Sequence, residues 1–219
     1  MNSEEQIRKF FLIGTGILLV LIVGGLIWAI MSNPGTNDKI DPNITFNDNQ
    51  NPALGPSDAK VTVRIYSDFQ CPACKVAESV LTKIMDEYQD RVRFIWNDMP
   101  LTQIHQNAVS AAVAARCADE QGRFWESNAM IFETQDTWAY KSSPQDHFIS
   151  IANELGLNED KYSQCLLNDQ IMSLVESDFQ EAVSMGLTGT PTFFINRKML
   201  VGAMDANAWR TELDTALAN

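Results

Sequence analysis

Cys71-Pro72-Ala73-Cys74 stands between an apolar run at 61–66 and a helix-patterned stretch, so two thiols sit where a strand hands over to a helix. That position dictates their chemistry. The first turn of a helix leaves four N–H groups without intrahelical partners and carries about half a positive charge. A thiolate placed there is stabilised and ionises below the ordinary cysteine value of about 8.5. Pro72 suits the first helical position, because the N–H that it lacks would be unpaired there. Cys71 is therefore the expected attacking sulfur and Cys74, one turn deeper, the resolving one, with Pro72 and Ala73 tuning the pair. A CxxC pair is also half of a zinc site or a structural disulfide. The strand before it and the helix after it favour a redox dithiol.

A second signal lies far along the chain. Thr188-Gly189-Thr190-Pro191-Thr192-Phe193-Phe194-Ile195 puts a proline at the mouth of a β-branched and aromatic run. Proline cannot donate into the middle of a sheet and belongs at the start of a strand or on an edge. An X-Pro bond is held cis at far lower cost than any other peptide bond. A cis bond beside a dithiol would expose the backbone of Thr190 to an extended substrate strand. A plain strand start is the simpler reading of Pro191 taken alone.

Taken together, Ser67-Asp68-Phe69-Gln70-Cys71-Pro72-Ala73-Cys74 and Gly189-Thr190-Pro191-Thr192-Phe193-Phe194 resemble the DsbA-like thiol:disulfide oxidoreductases of the thioredoxin superfamily. The resemblance runs from about residue 51 to the C-terminus. Ala115-Arg116-Cys117-Ala118 and Glu120-Gln121-Gly122-Arg123-Phe124-Trp125 are similar to the helical insertion of membrane-anchored members. The resemblance implies an α/β thioredoxin fold with a helical insertion and no cofactor. It implies that Cys71 forms the mixed disulfide, that Cys74 resolves it, and that Thr190 and Pro191 bind the substrate chain. Thiol-containing exported proteins are the implied substrates, and a quinone-linked membrane oxidase of the DsbB or vitamin-K-epoxide-reductase (VKOR) type is the implied partner. One departure touches mechanism. Many members carry a buried acid six positions before the first cysteine, and this chain has Ile65 there. Asp68 is nearer, and is read as a solvated turn carboxylate with a catalytic base as the alternative.

Residues 10–31 form an apolar run whose only clearly polar side chain is Thr15. As a helix it would reach about 33 Å, enough to cross a bilayer core. A cleaved signal peptide is the competing reading, but its apolar region is about 7–15 residues long and ends in small residues. Trp28-Ala29-Ile30-Met31 offers no such site. Arg8 and Lys9 precede the run and only Lys39 follows closely, which predicts a cytoplasmic N-terminus and an extracytoplasmic, or periplasmic, remainder. All four cysteines fall in that remainder, where disulfides persist.

Glu4, Glu5, Arg8 and Lys9 cancel, so the net charge of -12 belongs to the part after the span. Such a domain is repelled by phosphate backbones and anionic headgroups, which argues against nucleic acid as a partner. Residues 32–58 are rich in Asn, Pro, Asp and Gly and poor in apolar groups, the composition of a flexible tether. The chain therefore reads as a cytoplasmic tail (1–9), a transmembrane anchor (10–31), a flexible linker (32–58) and one monomeric thioredoxin-like domain (59–219) with its insertion at about 100–168.

Within the domain the expected elements are strand 61–66, helix 72–88, strand 92–96, several helices over 104–168, helix 169–185, strands 192–195 and 199–201, and helix 206–217. Val76, Val80 and Ile84 recur at helical spacing and are expected to pack the first helix on a sheet covered on both faces. Phe124, Trp125, Phe132 and Trp138 are read as core of the insertion, with a substrate groove as the alternative. Met185, Met199 and Met204 read as ordinary core filler. Cys117 and Cys165 lie on two predicted helices of the insertion. A structural disulfide between them, two separate buried thiols, and a zinc site gathering all four cysteines are the three readings; the first is preferred and no metal is expected. His105 and His147 are read as solvated or capping residues. Oxidation of substrate thiols is the preferred direction, with reduction or isomerisation as the alternative: Thr190 before the proline resembles the isomerase branch, whereas residues 32–58 are too few and too polar to form the added dimerisation domain typical of it. A non-enzymatic peptide-binding module is the reading from another class.

Overall fold

The computed structural model describes residues 44–219. The tail at 1–9, the apolar span at 10–31 and the linker up to residue 43 lie outside the described residues. Among the described residues no helix is long and apolar enough to cross a membrane.

Five strands form one sheet: β1 (Ala53–Leu54), β2 (Val61–Ser67), β3 (Val92–Asp98), β4 (Thr192–Ile195) and β5 (Lys198–Val201), in the order β1-β3-β2-β4-β5. β2 and β3 run parallel in register from Val61↔Val92 to Ser67↔Asp98, and the other pairs are antiparallel. Successive side chains of a strand point to opposite faces. Val61, Val63 and Ile65 therefore meet Leu81, Ile84, Trp209 and Leu213 on one face. Tyr66 and Phe194 meet Ala182 and Leu187 on the other. The first face is covered by α1 (Pro72–Tyr88) and α8 (Ala206–Ala218), the second by the end of α7 (Asp169–Ser184). Between the βαβ half and the β4–β5 hairpin lie α2 (Ala108–Asp119), α3 (Phe124–Glu133), α4 (Gln135–Trp138), α5 (Gln145–Glu154) and α6 (Glu159–Cys165). This is an α/β thioredoxin-like sheet with a helical insertion.

The insertion is welded to the sheet by aromatic packing. Phe69, in the turn before α1, lies 4.9 Å centroid to centroid from both Trp96 of β3 and Phe132 of α3. Phe124, Phe132 and Trp138 are buried and Trp125 is partly so, which makes them core. Arg116 of α2 is sealed between the carboxylates of Asp98 and Asp178, tying β3, α2 and α7 together.

Two expectations need correction. Val76 does not pack on the sheet; it is 62 % exposed. The buried face of α1 is Cys74, Ala77, Glu78, Leu81, Ile84, Met85 and Tyr88, so Ile84 lies on the stripe as expected while Val76 lies off it. The second correction concerns 44–58, assigned to the linker on composition. Phe46 stacks on Phe194 at 5.2 Å and lies under the Arg64 guanidinium, which also pairs with Asp48 at 2.6 Å. Asn51 donates to Asn97 at 2.7 Å, and β1 pairs with β3 through Ala53↔Ile95 and Leu54↔Phe94. Asp48, Asn51 and the Asn47 N–H bind fixed partners on the domain. Gly55 makes the approach possible: at φ +92° it lies so near β3 that a Cβ would fall 2.1 Å from the Val92 carbonyl oxygen.

Candidate active site

The C-terminal ends of β2 and β3 and the mouth of β4 meet at one end of the sheet, and Cys71 is carried there. Cys71 is the N-cap of α1, extended at φ -73° and ψ 123°, with Pro72 opening the helix. Its carbonyl accepts from the N–H groups of Cys74 (3.1 Å) and Lys75 (3.2 Å), closing the first turn. The Thr190-Pro191 bond is cis, and the Thr190 carbonyl oxygen faces Cys71 Sγ at 3.6 Å. The two segments, 119 positions apart, thus form one site.

The environment separates the two thiols. Hydrogen bonding from the Cys74 side chain pulls the Cys71 thiol down to about 5, against burial, with help from Thr190 and the N–H groups of Cys74 and Ala73. The Cys74 thiol goes the other way, chiefly through burial and then through its bond to Cys71 and the charge there. One sulfur is a stabilised thiolate near neutrality; the other keeps its proton.

Asp68 is not the solvated turn carboxylate expected of it. It is 1 % exposed. Its carboxylate accepts from the N–H of Gln70 (2.7 Å) and of Leu101 (2.8 Å) and meets His105 Nδ1 at 2.6 Å. His105 is accordingly a partner of this buried acid, neither solvated nor capping. His147 approaches Thr134 Oγ1 at 2.9 Å. Three buried amides complete the frame. Gln70 donates to the Ala139 carbonyl at 2.7 Å and accepts from the Asn107 N–H at 2.7 Å. Asn107 donates to the Lys141 carbonyl at 2.8 Å. Gln135 donates to the Phe69 carbonyl at 2.7 Å and to the Cys71 carbonyl at 3.1 Å. None of these amides stands out in the sequence, because each is defined by a partner 34 to 69 positions away.

Cys117 of α2 and Cys165 of α6 are bonded to each other inside the insertion, while Cys71 and Cys74 are free thiols. The four cysteines therefore separate into two pairs and do not gather around one point. A nucleophilic thiolate beside a proton-holding thiol can exchange disulfides. The frame offers no second nucleophile of comparable kind.

A family model described as thioredoxin matches residues 47–215. The chain belongs to the thioredoxin family. Membership covers the sheet, the insertion and both halves of the site. Among curated proteins, a Na(+)/H(+) antiporter NhaA 3 of Salinispora tropica is 32 % identical over 180 residues, 82 % of this chain and 27 % of the antiporter. An NhaA antiporter of Herminiimonas arsenicoxydans is 30 % identical over 162 residues, 74 % of this chain and 25 % of that one. The chain thus spans about a quarter of the length of the curated relatives it matches. Among solved structures, BdbD of Bacillus subtilis superposes with a TM-score of 0.70 at 23 % identity, over 79 % of this chain and 96 % of that one. The thiol-disulfide exchange protein α-DsbA2 of Wolbachia pipientis gives 0.68 at 19 % identity, over 77 % and 88 %. The catalytic domain of Proteus mirabilis ScsC gives 0.66 at 21 % identity, over 80 % and 93 %. These structural likenesses are likenesses of fold.

Proposed function

We propose that this protein is a thiol:disulfide oxidoreductase of DsbA type, tethered to the membrane by residues 10–31, that introduces disulfides into exported proteins on the extracytoplasmic side. The observation that carries the reading is the split between the thiols: Cys71 lowered to about 5 at a helix start, Cys74 raised and buried behind it. The thiolate that leaves most easily is the one that is best stabilised, and a stabilised reduced form makes the disulfide a strong oxidant.

In the oxidised protein a substrate thiolate attacks Sγ of Cys71. The Cys71–Cys74 bond breaks, a bond from Cys71 to the substrate sulfur forms, and the Cys74 sulfur leaves and takes up a proton. A second substrate thiolate then attacks the substrate sulfur of the mixed disulfide, and Cys71 leaves as a thiolate. Two electrons pass from substrate to protein; the substrate gains a disulfide and the protein becomes the dithiol. The Thr190-Pro191 edge holds the substrate backbone in extended form beside Cys71 while this happens. Returning the dithiol to the disulfide requires a membrane partner that passes the two electrons to a quinone, of DsbB or VKOR type.

The competing direction is reduction or isomerisation, favoured by Thr190 at the position before the cis-proline. One measurement separates the two. The reduction potential of Cys71–Cys74 in the full chain, equilibrated in glutathione buffers and trapped by alkylation, is expected near about -120 mV; a value near about -270 mV would reverse the direction. Replacing Cys71 by Ala tests the non-enzymatic alternative, since a binding module would keep its activity without the sulfur.

A further inference from the structure

We propose that Gln135, carried by the helical insertion, is the positioning residue of the nucleophilic sulfur: by tying the Phe69 and Cys71 carbonyls to α4 it fixes the turn whose amides hold the Cys71 thiolate. This rests on the thiol–disulfide reading above. Gln135 is 3 % exposed, and its amide nitrogen spans two carbonyls, Phe69 at 2.7 Å and Cys71 at 3.1 Å. A primary amide nitrogen has two hydrogens, so each carbonyl receives one. The two carbonyls flank Gln70 and Cys71, so the bonds pin the backbone on both sides of the nucleophile. That backbone matters because Cys71 is the N-cap of α1 and its side chain makes no capping bond. Its ψ of 123° decides where the next N–H groups point. Those of Ala73 and Cys74 are the ones that stabilise the sulfur anion. A capping side chain would accept from the helix N–H groups; Gln135 instead donates to the N-cap's own carbonyl and fixes the backbone there. It must hold while Sγ exchanges one sulfur partner for another.

Both hydrogen bonds that the Gln135 side chain donates end on backbone oxygens, and it acts through them. Gln135→Met keeps the length and apolar bulk and removes both donors; Gln135→Glu keeps the shape and turns an acceptor toward two carbonyls. In either variant the Cys71 acid constant, read by thiolate absorbance against pH in the full chain, is expected to fall at least tenfold. The dithiol–disulfide equilibrium should move with it by the same factor, about 30 mV toward a weaker oxidant. A folded Gln135→Met protein with both quantities within about twofold of wild type overturns the proposal. Should neither variant fold, the wild type still decides. The Gln135 side-chain amide protons are expected to exchange slowly and to shift with the Cys71 titration, and fast exchange with a flat pH profile overturns the proposal. A wild type that forms no Cys71–Cys74 disulfide in any glutathione buffer would instead end the oxidoreductase reading, and the acid-constant comparison would still judge Gln135.

Discussion

Acidifying the protein through pH 5 is expected to change how the Cys71–Cys74 potential responds to protons. The Cys71 thiol is lowered from 9.0 to about 5, and Cys74 stays protonated throughout. Above pH 5, reducing the disulfide takes up two electrons and one proton, because Cys71 is left as the anion. Below it, both sulfurs are protonated. The potential should therefore fall by about 30 mV per pH unit above the break and by about 59 mV per unit below it. The sign follows from linkage. A depressed acid group favours its folded reduced form fully above the ordinary cysteine range of about 8.5–9, about half as much at pH 7, and not at all below about 5. At pH 7 two pH units separate the solution from the Cys71 midpoint, worth roughly 3 kcal/mol in favour of the reduced form. Converted for a two-electron couple, that is roughly 60 mV of added oxidising power. Equilibration with glutathione or dithiothreitol across the acid to neutral range, with alkylation to trap the thiols, gives the slope. Absorbance of the thiolate gives the midpoint independently. A single slope of about 59 mV per unit up to pH 8, with no thiolate below that, would refute the arrangement of donors described around Cys71.

The remaining predictions concern stability. Glu78 is buried in α1 with Thr82 Oγ1 as its side-chain partner at 3.2 Å, and burial raises its carboxyl from 4.5 to about 7. The native state keeps that proton where the unfolded chain has lost it, so stability should fall by roughly 3 kcal/mol as pH rises from 4.5 to 7 and stay low beyond. Glu78→Gln should remove the loss, and urea unfolding at pH 5 and pH 8 that shows the same drop in both proteins would contradict this. Removing the bond between Cys117 and Cys165, 48 positions apart, by changing both to Ala should lower stability by about 4 kcal/mol; an unchanged melting temperature under non-reducing conditions would count against it. Arg116→Met strands two buried carboxylates, Asp98 and Asp178, and should cost about 3–5 kcal/mol. Replacing all three by apolar residues of similar volume should restore most of it, and a triple variant as unstable as the single one would show that the arginine's packing mattered more than its charge.

The strand, the dithiol and the helix after it were legible because each is a local pattern: a β-branched run, a proline that suits a helix start, and apolar residues at helical intervals. The same holds for Thr190-Pro191 before its aromatic strand. What escaped was whatever depends on a distant partner. Asp68 looks like any turn aspartate until Leu101 and His105 close over it. Gln70, Asn107 and Gln135 look like surface amides until the insertion folds back on the turn before α1. Of Val76, Val80 and Ile84, which share a helical interval, Ile84 is fully buried and Val80 partly so, but Val76 faces out, because the stripe that meets the sheet begins at Cys74 and Ala77. Composition misled at 44–58, where polarity served hydrogen bonds to the domain, and a strand of two residues, Ala53–Leu54, is too short to leave a periodic trace.

The high proton affinity of the buried thiol bears on timing. In a mixed disulfide joining Cys71 to a partner sulfur, Cys74 is the neighbour able to attack Cys71 and expel the partner unchanged. Attack requires the anion, and each unit by which a thiol's midpoint exceeds the ambient pH removes about nine-tenths of it. Burial of Cys74 therefore slows this abortive escape and lengthens the life of the covalent complex. Under the oxidase function proposed above, a second thiol of the bound chain gains time to reach the junction, and the outcome shifts from release toward transfer. The depth of one side chain below the surface thus acts as a clock on the encounter.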